Sequence, residues 1–139
     1  MIQAYKKAVL FLIIIYTTYI FLPLAWPYLY REQTVSFLGL AGLEAQLPLP
    51  ESFNYVIPCL YLVCCFGLYS FFNSARVGFV ILIICNLTVG SFGLGYSASA
   101  FLDTALGYFI SLLEGGILVM SYVTSAAEEF KKRNLGTKM

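Results

Sequence analysis

The sequence predicts an all-α integral membrane protein, a bundle of four transmembrane helices with a short interfacial helix in the first external loop. Three observations support this fold class. Of the 139 residues, 60% are hydrophobic and only 11% are charged, whereas a soluble domain carries about 25% charged residues. The apolar residues form four continuous runs, each long enough to span a membrane. The basic residues gather in segments that would share one side of that membrane. Because the four runs and their connections take up the whole chain, we expect a single membrane domain over residues 1–139.

The four runs have lengths of about 18 to 21 residues, which suit a hydrocarbon core of about 30 Å at about 1.5 Å per helical residue. Because the runs are continuous rather than alternating, they favour helices over the strands of a barrel. The predicted spans are residues 8–26, 55–72, 77–97 and 104–124.

Between the first two spans lies a predicted external loop, residues 31–54, that is too apolar for a free loop. Its scattered leucines and other apolar residues predict a short helix over about Gln33 to Ala45, lying along the outer interface. Capping of the bundle is the first interpretation, and a docking surface or lid over an external cavity is the alternative. Residues 125–139 form a predicted cytoplasmic tail, which continues the last span as a solvated helix.

The basic residues set the orientation, because cytoplasmic segments next to spans are enriched in Lys and Arg. With four spans, seven of the eight basic residues fall on one side and Arg31 lies alone on the other. Both termini are therefore predicted to be cytoplasmic, in a cytoplasmic (inner) membrane. The seven residues are Lys6, Lys7, Arg76, Lys131, Lys132, Arg133 and Lys138.

Histidine is missing from the composition, and this excludes several classes of chemistry. The chain cannot supply imidazole to a haem or to a metal ion, nor build a Ser/His or Cys/His catalytic pair. All four cysteines lie inside predicted spans, where a thiol behaves as a small apolar group. We therefore expect no enzyme activity, no cofactor and no metal site, and no nucleic acid partner. The cysteines are Cys59, Cys64, Cys65 and Cys85.

Glu114 is the candidate functional residue, because it is an acid inside an apolar run. It follows Thr104, at the outer end of its span, by ten residues, which places it about 15 Å deep, near the bilayer midplane. Asn86 lies at a matching depth on the third span. A charged residue at a span centre costs about 2.5 to 3.5 kcal/mol on insertion scales, so it must be neutralised, paired or hydrated.

The predicted spans contain no Lys or Arg, so Glu114 has no basic partner within them. We expect it to be protonated and hydrogen-bonded, to Asn86 or to Tyr16, Thr17 or Thr18 of the first span, or to pair with a cation from outside the chain. Ser111 shares its helical face. Small residues beside these polar groups predict close helix packing. They are Gly107 and Gly115 on the fourth span and Gly90 and Gly93 on the third.

Two functions agree with this pattern. The first is a small non-enzymatic membrane protein that binds or stabilises another membrane protein, as an accessory subunit, assembly factor or immunity-type protein. The alternative is a small oligomeric carrier or channel, coupled to protons or another cation, that uses Glu114. The predicted partners are the lipid bilayer and either a second membrane protein or further copies of this chain.

Overall fold

The computed structural model describes residues 1–38, 53–88 and 100–136 of the chain, and their secondary structure is entirely helical. The prediction of an all-helical protein is therefore confirmed for these residues. The helices are α1 (Ile2–Leu29), α2 (Glu32–Leu38), α3 (Phe53–Tyr69), α4 (Asn73–Thr88), α5 (Phe101–Val123) and α6 (Ser125–Gly136). Of these, α1 and α5 are long and apolar enough to cross a membrane, whereas α3 and α4 are apolar but shorter.

The first helix, α1, is longer at both ends than the predicted span 8–26. It includes Pro23 and Pro27 without ending at either of them. It stops at Leu29, because Tyr30 takes an extended backbone conformation while its N–H still bonds to the carbonyl of Trp26 at 2.9 Å. The next helix, α2, overlaps the predicted interfacial helix. The rest of that prediction, from residue 39 to 45, lies outside the described residues.

A tight turn joins α3 to α4, so the second predicted span ends earlier than expected, at Tyr69. The Phe72 N–H bonds to the Gly67 carbonyl at 2.9 Å and the Phe71 N–H to the Leu68 carbonyl at 3.0 Å. This is the Schellman pattern, in which the residue after the helix cap is left-handed and is usually glycine. Phe71 occupies that position with φ of 58°. The strain, on the order of 1 kcal/mol or more, is offset by burial of its ring in the core.

The last two helices meet at Thr124, whose extended backbone breaks the helical path between α5 and α6. The predicted tail is therefore helical over Ser125–Gly136, but it is a separate helix. At its other end α5 begins at Phe101 and includes Asp103 in its first turn. The fourth predicted span begins at Thr104 and leaves Asp103 out, whereas in the structure this residue is helical and buried. The end of the third predicted span, residues 89–97, lies outside the described residues.

Packing is uneven along the bundle. The long helix α1 packs against α5 and α3, and α3 packs against α4, but α4 contacts α5 only sparsely. The buried apolar residues lie mostly in the half that holds the start of α1, the α3–α4 turn and α6, which we call the packed half. The opposite half, with the end of α1 and the start of α5, contains the cavity described below.

Candidate functional site

Glu114 lies inside the bundle, with 9% of its surface exposed. The hydroxyl of Tyr61 on α3 donates a hydrogen bond to Glu114 Oε1 at 2.5 Å. Tyr61 is itself held by Tyr16 on α1, whose ring stacks on it with centroids 3.9 Å apart. Three helices therefore meet at this acid, and the polar group that satisfies it comes from within the chain.

Asn86 and Ser111 share a partly open cavity with Glu114, of about 340 Å³, which lies between α1, α3, α4 and α5. Among the described residues that line it, Glu114 is the only one with a formal charge. Most of the other lining residues are tyrosines and aliphatic residues. The lining residues are Tyr16, Tyr19, Ile57, Tyr61, Leu82, Ile83, Asn86, Thr104, Gly107, Tyr108, Ile110, Ser111 and Glu114.

The two threonines singled out in the first span do not bond to Glu114. Thr17 Oγ1 donates to the carbonyl of Ile13 at 2.7 Å, and Thr18 Oγ1 donates to that of Ile14 at 2.9 Å. Each hydroxyl thus bonds to its own helix one turn earlier, as Ser and Thr commonly do in apolar helices. Tyr61 was not predicted as the hydrogen-bond partner of Glu114, because the local sequence pattern does not show which tyrosine faces the acid.

The glycines predicted to bring helices together behave differently from expectation. A Cβ built at Gly107 or Gly115 would meet no described atom within 4 Å, so neither position marks a close helix contact. The close approach occurs instead at Gly67, where an added Cβ would lie 2.3 Å from Cβ of Ala75 across the α3–α4 hairpin. Gly90 and Gly93 lie outside the described residues.

A second polar cluster, at the cavity end of the bundle, joins α1 to α5. Asp103 accepts a hydrogen bond from Trp26 Nε1 at 3.0 Å and another from the Tyr30 hydroxyl at 3.1 Å. Burial and the Asp103 hydrogen bond together raise the pKa of Tyr30 above its ordinary 10.0. This cluster was not predicted from the sequence. The sequence did contain an indication of this contact, because Trp26, Tyr30 and Asp103 all lie at the ends of predicted spans on the same side of the membrane.

The packed half is closed by aromatic rings and a half-buried cation. Phe71 stacks on Tyr5 with centroids 5.4 Å apart and meets Phe130 edge-on at 5.2 Å. The guanidinium of Arg76 lies 5.1 Å from the centre of the Phe130 ring and 4.3 Å from that of Tyr122. Side chains therefore fill this end of the bundle.

The remaining candidate reactive groups in the part of the chain that the structure describes are metal ligands and thiols. It contains no group of three or more His, Cys, Asp or Glu residues placed to hold a metal ion. Cys59 and Cys85 are exposed, Cys64 is half-buried and Cys65 is fully buried, and all four thiols are free.

No protein-family model, curated protein or solved structure matches this chain. The site must therefore be interpreted from its own geometry: a buried acid, a hydrogen-bonded tyrosine and a cavity beside them.

Proposed function

We propose that this chain is a four-span protein of the cytoplasmic membrane with both termini inside, and that α3 and α4 cross the membrane together with α1 and α5. The exposed apolar surface supports this. In the most apolar 18-residue stretches of α1 and α5, only 17% and 22% of the residues are buried. The core helix of a soluble protein would bury most of its apolar side chains.

The basic residues support the orientation, because they meet at one end of the molecule. Lys6 lies 5.4 Å from the centre of the Phe71 ring, and Arg133 donates a hydrogen bond to the carbonyl of Ser70. Arg76 follows the same α3–α4 turn. A cluster of Lys and Arg at one end of the bundle is what the positive-inside rule expects of the cytoplasmic face.

Reporter fusions test this topology directly. Fusions after Phe72 and Met139 are expected to give a cytoplasmic signal, and a fusion after Ser99 is expected to give an external one. A cytoplasmic signal from the Ser99 fusion would overturn the four-span arrangement.

Within this topology, the protein binds a cation at Glu114 and acts as a small carrier or channel rather than as an enzyme. The observation that carries this proposal is the cavity of about 340 Å³ in which Glu114 is the only charged lining residue among those described. An acid inside a membrane is costly, and in transporters such acids mark proton and ion paths.

Proteoliposomes that contain this protein alone provide the test. A pH gradient or a cation gradient is imposed, and flux is followed with a dye trapped inside the vesicles. The variant Glu114→Gln keeps the size of the side chain and is expected to abolish flux. The matched control is Glu128→Gln, which removes an exposed acid on α6 far from the cavity lining and should leave flux unchanged. Flux that survives Glu114→Gln would overturn the carrier proposal.

The second candidate is an accessory protein that binds another membrane protein. The sparse contact between the described parts of α4 and α5 favours it, because helices with little mutual contact leave apolar surface that another membrane protein can cover. This candidate predicts stoichiometric copurification with a different membrane protein and no flux from the chain alone. An association unaffected by Glu114→Gln, with no ion flux in either variant, would decide for it against the carrier.

A further inference from the structure

We infer that the ligand of the Glu114 cavity is an organic ammonium ion, a positively charged nitrogen carrying alkyl groups. This inference rests on the proposed function, because it names the class of cation that the same site accepts. It depends on the size of the cavity, the side chains of its wall and the position of its single charge.

The size excludes a bare ion as a well-fitted ligand. A water molecule occupies about 30 Å³ of liquid, and pockets that hold small molecules begin at about 300 Å³. The cavity of about 340 Å³ falls within that range. A proton or metal ion bound at Glu114 would leave most of this volume unfilled by the ligand, whereas a small organic molecule would contact its wall.

The wall suits a cation with an apolar surface. Four tyrosines line the cavity, Tyr16, Tyr19, Tyr61 and Tyr108. Aromatic rings attract alkylammonium groups through their negative faces and also contact the alkyl carbons. Leu82, Ile83 and Ile110 supply further apolar surface. A hydrated metal ion would have to exchange its water mainly for neutral hydroxyl and amide oxygens, because the described lining contains a single carboxylate.

The single carboxylate among the described lining residues favours a cation that requires only one negatively charged ligand. Divalent ions such as calcium take six to eight oxygen ligands, several of them carboxylates, and the lining described here provides one carboxylate. An organic ammonium ion spreads its charge over its alkyl groups, so a single counter-charge and aromatic contacts suffice. No Lys or Arg is among the described lining residues, so nothing there would repel such a ligand.

Calorimetric titration of the purified protein in detergent tests the inference with two matched probes. The first is choline, and the second is its neutral isostere, in which carbon replaces the ammonium nitrogen. Choline is expected to bind about tenfold or more tightly than the isostere, since the aromatic and carboxylate contacts depend on its charge. Glu114→Gln should remove this preference.

Two tyrosine variants keep the test informative if Glu114→Gln fails to fold. Tyr108 lines the cavity yet is largely exposed, so Tyr108→Leu should fold and should weaken choline binding several-fold. Tyr28→Leu is the control, because Tyr28 is 91% exposed and is not among the lining residues, and choline binding should not change. Circular dichroism confirms that each variant is helical.

The outcomes separate this inference from the proposed function. Equal binding of choline and its isostere, or equal effects of Tyr108→Leu and Tyr28→Leu, would overturn the inference. Proton flux that depends on Glu114, without choline binding, would also overturn it while leaving the carrier proposal intact. Choline binding that depends on Glu114, without any flux, would support the inference and count against the carrier.

Discussion

Gly67 allows a specific test of how α3 and α4 pack. In Gly67→Ala the new Cβ would lie 2.3 Å from Cβ of Ala75, a contact that no flexible side chain can relieve. The hairpin must therefore shift. Overpacking of this kind costs about 1–3 kcal/mol, against which alanine gains about 0.5–1 kcal/mol over glycine in a helix interior.

The matched control is Gly116→Ala on α5, where an added Cβ meets no described atom within 4 Å. It should show only the helix-propensity gain, so the difference between the two variants isolates the steric cost of about 1–3 kcal/mol. The free energy of unfolding of each purified variant is measured in mixed micelles by titration with SDS, followed by circular dichroism.

A double variant then identifies the contact itself. Gly67→Ala combined with Ala75→Gly moves the methyl group from one helix to the other, so the pair should recover about 0.5–3 kcal/mol relative to Gly67→Ala alone. The reasoning is refuted if Gly67→Ala is as stable as Gly116→Ala. Failure of the double variant to recover stability would show that Ala75 is not the obstacle.

Three further predictions concern the two ends of the bundle. Asp103→Asn should cost about 1–3 kcal/mol, because it weakens two hydrogen bonds to a charged acceptor, and fluorescence of Trp26, the only tryptophan, should report the change during unfolding. Since the pKa of Tyr30 is raised on folding, its contribution is complete below pH 10 and is lost as the pH rises through the raised value. The fluorescence change in that window should be larger in the wild type than in Tyr30→Phe, which keeps the other ten tyrosines. Arg76→Lys should lower the unfolding free energy by about 1–2 kcal/mol, because a lysine ammonium cannot keep both ring contacts together with the hydrogen bonds to the Ser121 carbonyl and Asn73 Oδ1. A melting temperature equal to that of the wild type would contradict this.

The sequence predicted the helical class well because apolar composition and run length determine it directly. It also identified Glu114 as a buried acid, since a charge within an apolar run must be accommodated. The sequence did not identify the hydrogen-bond partner of Glu114. Tyr61 is separated from it by 53 residues, and choosing this tyrosine requires the rotation and neighbours of α3, which are set by packing rather than by local pattern.

Local rules also failed where tertiary contacts outweighed them. Phe71 sits in a left-handed turn position that usually takes glycine, because the core holds its ring. Asp103 directly precedes the fourth predicted span, which begins at Thr104. It joins α5 because Trp26 and Tyr30 satisfy it there. Neither outcome follows from propensity, since each depends on residues distant in sequence.

The stacking of Arg76 has a consequence for the order in which the chain assembles. Synthesis proceeds from the N-terminus, so the α3–α4 hairpin is synthesised before Tyr122 and Phe130. During that interval Arg76 lacks both of its aromatic neighbours, and Tyr5 likewise waits for Phe130. The aromatic end of the bundle can therefore close only after translation reaches α6, and a nascent chain that stops earlier would leave this cation and these rings uncovered.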